Sequence, residues 1–196
     1  MISYFELIFV LYAQMIHLKL LFLSFFGFCF FALQGQDFSD VDKSPMAVSI
    51  IRNADNSPMA RIIYSRPKMR GRQIFDDLVP YGEIWRTGAN EATELRLYNA
   101  MRVNKHLIPA GTYTLYTIPN KKYWTVILNE KEKAWGTFDY SSALDVLRIK
   151  VIVQEAAAPI EDFSMAFQPH KNGANLFIGW ENVFVELQLR NKKNYN

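Results

Sequence analysis

Val183-Phe184-Val185-Glu186-Leu187-Gln188-Leu189-Arg190 alternates apolar and polar residues from Val185 onward. Successive side chains of a β-strand point to opposite faces, so Val183, Val185, Leu187 and Leu189 are expected on a core and Glu186, Gln188 and Arg190 in water. Glu181-Asn182 reads as a two-residue hairpin turn joining this strand to an apolar run at 176–180. The same β-rich signature repeats outward through the chain. Runs at 47–52, 61–65, 94–98, 101–103, 112–118, 123–128, 144–153 and 163–167 are separated by turn residues such as Asn53-Ala54-Asp55-Asn56-Ser57-Pro58 and Pro119-Asn120-Lys121-Lys122. Ile108-Pro109-Ala110-Gly111 leads into the 112–118 run. Helical spacing occurs once, at Ile74, Phe75, Leu78 and Val79, and Pro80 stops it. The expected fold is all-β: a single antiparallel β-sandwich of about nine or ten strands over residues 45–190, with one short helical turn.

The segment ahead of this domain has a different character. Leu20 to Leu33 is apolar apart from Ser24, with Lys19 before it and Gln34-Gly35-Gln36 after it. A basic residue, a short apolar run and small or polar residues at its end make a secretory signal, here residues 1–36 with cleavage near Gly35 or Gln36. Fourteen helical residues span about 21 Å, short of a hydrocarbon core of about 30 Å, so membrane contact is expected only through this leader before cleavage. The first residues carry Glu6 and no basic residue, whereas a start at Met15 places His17 and Lys19 in an ordinary n-region. Phe28 precedes Cys29 where lipoprotein processing needs a small residue. The expected destination is the periplasm, the cell surface or the medium.

Composition narrows the chemistry. Half of the 196 residues are hydrophobic and 15% are aromatic, which fits a packed domain rather than a disordered chain. Glu6 and Lys19 are the leader's charges, so the remainder keeps the net charge of +3, too small to argue for nucleic acid. Cys29 is the one cysteine and lies in the leader, which leaves the domain without a disulfide, a thiolate ligand or a cysteine nucleophile. His106 and His170 sit in turn-like contexts, so no metal site and no cofactor are expected. The sequence has no phosphate loop, dinucleotide fingerprint, Gly-x-Ser-x-Gly elbow or His-Glu-x-x-His helix.

An ordered set of motifs spans the domain. Tyr64-Ser65-Arg66-Pro67-Lys68-Met69-Arg70-Gly71-Arg72-Gln73-Ile74-Phe75 is followed by Leu78-Val79-Pro80-Tyr81-Gly82 and Trp85-Arg86-Thr87-Gly88-Ala89-Asn90-Glu91-Ala92-Thr93. Pro109-Ala110-Gly111-Thr112-Tyr113-Thr114-Leu115, Ile118-Pro119, Trp124-Thr125-Val126-Ile127 and Trp135-Gly136 come after. Over about residues 45 to 190 this set resembles the domain of unknown function 2911 family, found mainly in exported proteins of Bacteroidota. The resemblance implies export and one mostly β domain, and it brings no activity, cofactor or catalytic residue with it.

Two loops are chemically richer than a sandwich requires. The first holds Arg66, Lys68, Arg70 and Arg72 with no acid among them, a set suited to a carboxylate, phosphate or sulfate. Its plainer alternative is a solvated loop whose arginines pair with Asp76, Asp77 or Glu83. The second places Trp85, Arg86, Thr87, Asn90, Glu91 and Thr93 together, an apolar platform with polar groups that suits sugars or peptides. Here the alternative is that Trp85 plugs the core and Glu91 holds Arg86 as an internal strut. Trp135 and Tyr140, in a long connection, are expected at the rim. The candidate ligand-binding set is therefore Arg66, Arg72, Trp85, Arg86, Asn90 and Glu91. Three functions stay open: a non-catalytic binder of a glycan or small anionic envelope component, a structural or protein-interaction module, and a hydrolase built on two acids among Glu83, Glu91, Glu94 and Asp139.

Overall fold

The computed structural model describes residues 4–31 and 36–192, residues 25–31 by their backbone. It separates into two units, Met1–Asp40 and Val41–Asn196. Among its described residues the first contains one helix, α1 (Tyr4–Phe31), whose stretch Tyr4–Ser24 is long and apolar enough to cross a membrane. A helix of that kind near an N-terminus is equally compatible with an export signal. It begins well before the apolar run at Leu20. Of the expected cut near Gly35 or Gln36, Gly35 lies outside the described residues, as does the side chain of Cys29.

The second unit holds the nine strands found among the described residues, all paired antiparallel: β1 (Met46–Arg52), β2 (Pro58–Ser65), β3 (Glu94–Leu97), β4 (Met101–Val103), β5 (His106–Ile108), β6 (Gly111–Ile118), β7 (Tyr123–Asn129), β8 (Asp145–His170) and β9 (Gly173–Asn191). Their order is β1-β2-β3-β6-β7-β8-β9-β4-β5. The first part of β8 pairs with β7 and the rest with β9, so β8 belongs to both layers of the sandwich. Ile62, Leu95 and Tyr113 stand in register across β2, β3 and β6, and Leu115, Leu128 and Leu147 across β6, β7 and β8. All six are buried, and they share one core with Leu176, Ile178, Val185, Leu187 and Leu189 of β9. The alternation expected of 183–189 therefore holds.

Two local expectations are corrected. Glu181-Asn182 is not a hairpin turn, because β9 runs straight through it and absorbs Glu181 at φ 56. The hairpin lies between His170 and Gly173 instead, and the runs at 144–153 and 163–167 are likewise one strand. Irregular pairing between Glu155 and Ser164 lets the β8–β9 hairpin bend sharply. The end of β9 then meets its own beginning: Asn191 N donates to Asn172 O at 2.8 Å, and a β-carbon on Gly173 (φ 141) would stand 2.2 Å from Leu189 O.

Ile74 to Val79 is not helical either. Asp76 takes φ 71, which a right-handed helix excludes, and Leu78 is exposed while Ile74, Phe75 and Val79 are buried. The carboxylate of Glu181 accepts from the backbone amides of Ile74 (3.1 Å) and Phe75 (3.4 Å), which ties this turn to the β9 bend. The short helical turn is at Ser142–Leu144, where the spacing gave no sign of it.

Candidate functional site

The residues alternating with the core set point away from it. Ile63, Glu94, Thr114 and Asn129 line up across β2, β3, β6 and β7, and Arg61, Arg96 and Thr112 form the neighbouring row. Part of this outer face is sealed. Tyr116 and Ile127 pack under Ala134, with Ile84, Ala92, Ile118 and Tyr140 around them. Buried Asn129 organises the covering connection: its side-chain amide donates to Ser141 O and Asp145 Oδ1, and its Oδ1 accepts from Lys131 N. Thr114 Oγ1 donates to Lys131 O, and Ala92 N donates to Ala134 O at 2.9 Å.

Where this cover stops, a groove of about 350 Å³ opens on the outer face. Its floor includes Ile63, Glu94, Thr112 and Thr114, and its walls include Met46, Glu91, Glu132, Lys133 and Trp135. Trp135 is 55% exposed, and a backbone bridge to Glu91 joins the two loops that carry them. Glu94 is engaged by Arg61 at 3.4 Å, and Thr112 accepts from Arg96 at 2.7 Å. Among the described residues no cation pairs with Glu91 or Glu132.

Trp85 pairs with Thr117 through the backbone, and its ring stacks on Trp180 (5.9 Å, 15°) while meeting Phe163, Trp124 and Phe75. Its Nε1 donates to Gly88 O at 3.1 Å. Trp85 is therefore a core plug whose edge reaches the surface, not an open platform. Beyond it the chain takes left-handed backbone at Thr87 (φ 57) and Asn90 (φ 56), and Gly88 lies at φ 151. A β-branched residue at positive φ costs about 1–3 kcal/mol. Thr87 is held there because its Oγ1 bonds Trp85 O and Thr117 Oγ1 while its carbonyl accepts from Thr93 Oγ1 at 2.6 Å. A β-carbon on Gly88 would come 3.0 Å from Ser65 O, so the turn passes directly against β2.

This turn presents Arg86 to a second recess, of about 320 Å³, which also includes Arg72, Trp85, Trp180, Leu78 and Val79 in its lining. Arg86 Nε is buried without a hydrogen-bond partner. Glu91 does not hold it, and no carboxylate is within ion-pairing distance among the described residues.

The arginines of the 66–72 loop are mostly committed to the chain itself, and to its carbonyls rather than to Asp76, Asp77 or Glu83. Arg66 donates to Phe163 O and Ser164 Oγ, Arg70 to Lys43 O, and Arg72 to Met69 O and Lys68 O. Lys68 pairs with Asp162 at 3.5 Å. Arg66 is thus a strut between β2 and β8, whereas Arg72 both braces its loop and borders the recess. Asn90 donates to Asp42 Oδ1, and with the amide of Ser44, which contributes most, it holds that carboxyl below its usual value.

Tyr140 turns inward: its ring packs edge-on against Tyr116, and its hydroxyl donates to Asp145 Oδ2 at 2.8 Å. Burial, then the bond to Asp145, raises its pKa. Tyr116 is raised mainly by burial, and its hydroxyl is buried without a partner.

The expected set therefore divides. Glu91 and Trp135 share the groove, Arg72, Trp85 and Arg86 share the recess, and Arg66, Asn90 and Tyr140 brace the framework. Sequence reasoning missed Glu132, Lys133, Met46 and the threonines of the groove floor, because strand parity identifies them only once the pairing is known. Among the described residues no group of three or more His, Cys, Asp or Glu is placed to hold a metal ion.

No curated protein and no solved structure matches the chain. Residues 44–189, which contain both loops and both cavities, match the model of one family, and the chain belongs to it: protein of unknown function (DUF2911).

Proposed function

We propose that this is an exported, non-catalytic module that binds a glycan in the groove beside Trp135. The exposure of Trp135 carries the reading. Of four tryptophans, Trp124 and Trp180 are 1% exposed and Trp85 is wedged among them, while Trp135 leaves more than half its surface open at a cavity. An indole face at a groove stacks on the C–H face of a sugar ring, and the carboxylates of Glu91 and Glu132 accept its hydroxyls. The apolar N-terminal helix supports export.

Glycan-array binding of the purified protein tests the reading. Trp135→Ala should remove every hit while leaving the melting temperature nearly unchanged. Hits that survive the substitution, or the absence of any hit, would refute it.

A second reading rests on one observation: Glu91 and Glu94, two of the four acids available for a hydrolase, line the same groove. Glu94 is drawn toward Arg61, which favours binding over turnover. Release of reducing ends from a bound glycan, abolished by Glu91→Gln, would establish hydrolysis instead.

A further inference from the structure

We propose that the recess beside Trp85 is a separate binding site for a small organic carboxylate, held by Arg86 with Arg72 as the second cation. Four observations converge on it. A guanidinium nitrogen taken out of water without a partner is costly, and Arg86 Nε is in that state. The recess lining includes Arg72 and Arg86 and no acid. Leu78, Val79, Trp85 and Trp180 supply apolar wall, which suits an anion with a hydrocarbon or ring body better than a bare inorganic ion. Finally, the turn that delivers Arg86 is strained at Thr87 and locked by buried threonine hydroxyls, so the backbone that carries the arginine is set in place before any ligand arrives.

The charges around Arg86 fit this role. On its other side it borders a smaller cavity of about 170 Å³ that Glu83 also lines, and Glu83 makes no ion pair with it. Arg86 Nη1 runs beneath the Trp135 connection, 3.7 Å from where a β-carbon of Gly136 would stand. Arg72 is anchored through Nε and one Nη to the carbonyls of Met69 and Lys68. One cation is thus carried on a locked turn and the other is held by its own loop. A planar carboxylate accepts two parallel bonds from a guanidinium, and the Nη groups of Arg86, which unlike Nε are not sealed from the solvent, are the donors it would meet.

Titration of the purified protein with benzoate, galacturonate and inorganic sulfate, followed by calorimetry and amide chemical shifts, tests the proposal. Both organic carboxylates should bind saturably and more tightly than sulfate, with shifts centred on residues 85–90. Arg86→Gln should weaken them at least about tenfold, Arg86→Lys should recover only part of the loss, and Trp135→Ala should change nothing. If Arg86→Gln fails to fold, Ala89→Leu, which fills the recess and keeps both arginines, should abolish binding. No saturable binding by the folded wild type would overturn the proposal, as would tighter binding of sulfate. Binding that survives both recess variants, or that depends on Trp135, would also overturn it.

Discussion

The inner and outer faces of β6 and β7 come from the same two strands and meet different fates. Inward, Leu115, Trp124, Val126 and Leu128 are at most 1% exposed, in a core closed by the second layer. Outward, Tyr116 and Ile127 are covered only by loops, and the cover ends at a groove. A strand layer conceals a face completely, while a loop conceals it in part, and the gaps it leaves are where chemistry is available. Two of the motif tryptophans show the contrast: Trp85 is drawn into the aromatic cluster, and Trp135 stays on the edge of the covering loop. The largest expected effects follow from substituting each. Trp85→Ala should cost about 3–5 kcal/mol of unfolding free energy, because a large cavity opens among four aromatic rings. Trp135→Ala should cost less than about 0.5 kcal/mol, as for an exposed site. Denaturant melts of both variants give the comparison, and equal losses would break it.

The closure of the inner layer has its own weak point. Gly173 stands where β9 returns on itself, at a φ that side chains rarely adopt and with backbone 2.2 Å from the position of a β-carbon. Gly173→Ala should cost about 2–3 kcal/mol, since no flexible side chain can yield there. A melt within about 0.5 kcal/mol of wild type would show that the hairpin can relax without opening the core.

How much of this was legible depends on which interactions decide each part. Strand alternation at 185–189 follows burial directly. Although buried on both faces over much of their length, β6 and β7 still show strand residues between turn residues, so the class of fold followed from residues alone. The β8 strand did not. Glu155-Ala156-Ala157-Ala158-Pro159-Ile160-Glu161 carries no alternation and contains a proline, so a bend inside one strand reads as a gap between two. The 74–79 turn looks helical because buried Ile74, Phe75 and Val79 happen to fall at helical spacing. What fixes it is Glu181, over a hundred residues away. The site was legible in its residue types and not in its grouping. Glu91 and Trp135 are joined by a backbone bridge across two connections, and Arg86 is apart from Glu91 because the two ends of the Trp85 turn face different cavities.

The outer face also carries a misfit that the inner face does not. Tyr116 buries a hydroxyl with no partner under the covering loop, whereas the Tyr64 hydroxyl on the inner side bonds both backbone groups of Met165. Tyr116→Phe removes the orphan and keeps the ring, so stability should be unchanged or rise by up to about 1 kcal/mol. Tyr64→Phe should cost about 1–2 kcal/mol by the same reasoning reversed. The raised pKa of Tyr116 gives a second readout. Folding favours its protonated form, so that contribution is complete below the ordinary tyrosine value near 10 and is lost as pH rises through the raised one. The alkaline loss of stability should therefore be shallower in Tyr116→Phe, and an identical pH profile would show that the hydroxyl already meets water.

The smallest effect concerns the segment that borders the recess. Asp42 accepts from Ser44 N and Asn90 Nδ2, and both bonds favour its ionised form. A carboxyl with a lowered folded-state pKa contributes stability above its ordinary value and loses it as pH falls through the lowered one, so the window lies on the acid side of about 3.9. Asn90→Gly keeps the positive-φ backbone and removes only the side-chain bond. The Asp42 midpoint, followed by NMR, should move up toward the ordinary value without reaching it, because the larger contribution from the Ser44 amide remains. Since Ser44 also lines the recess, carboxylate binding should weaken in parallel if Asn90 sets the position of that segment. A shifted Asp42 midpoint with unchanged binding would confine Asn90 to bracing, and the recess would then depend on its two arginines alone.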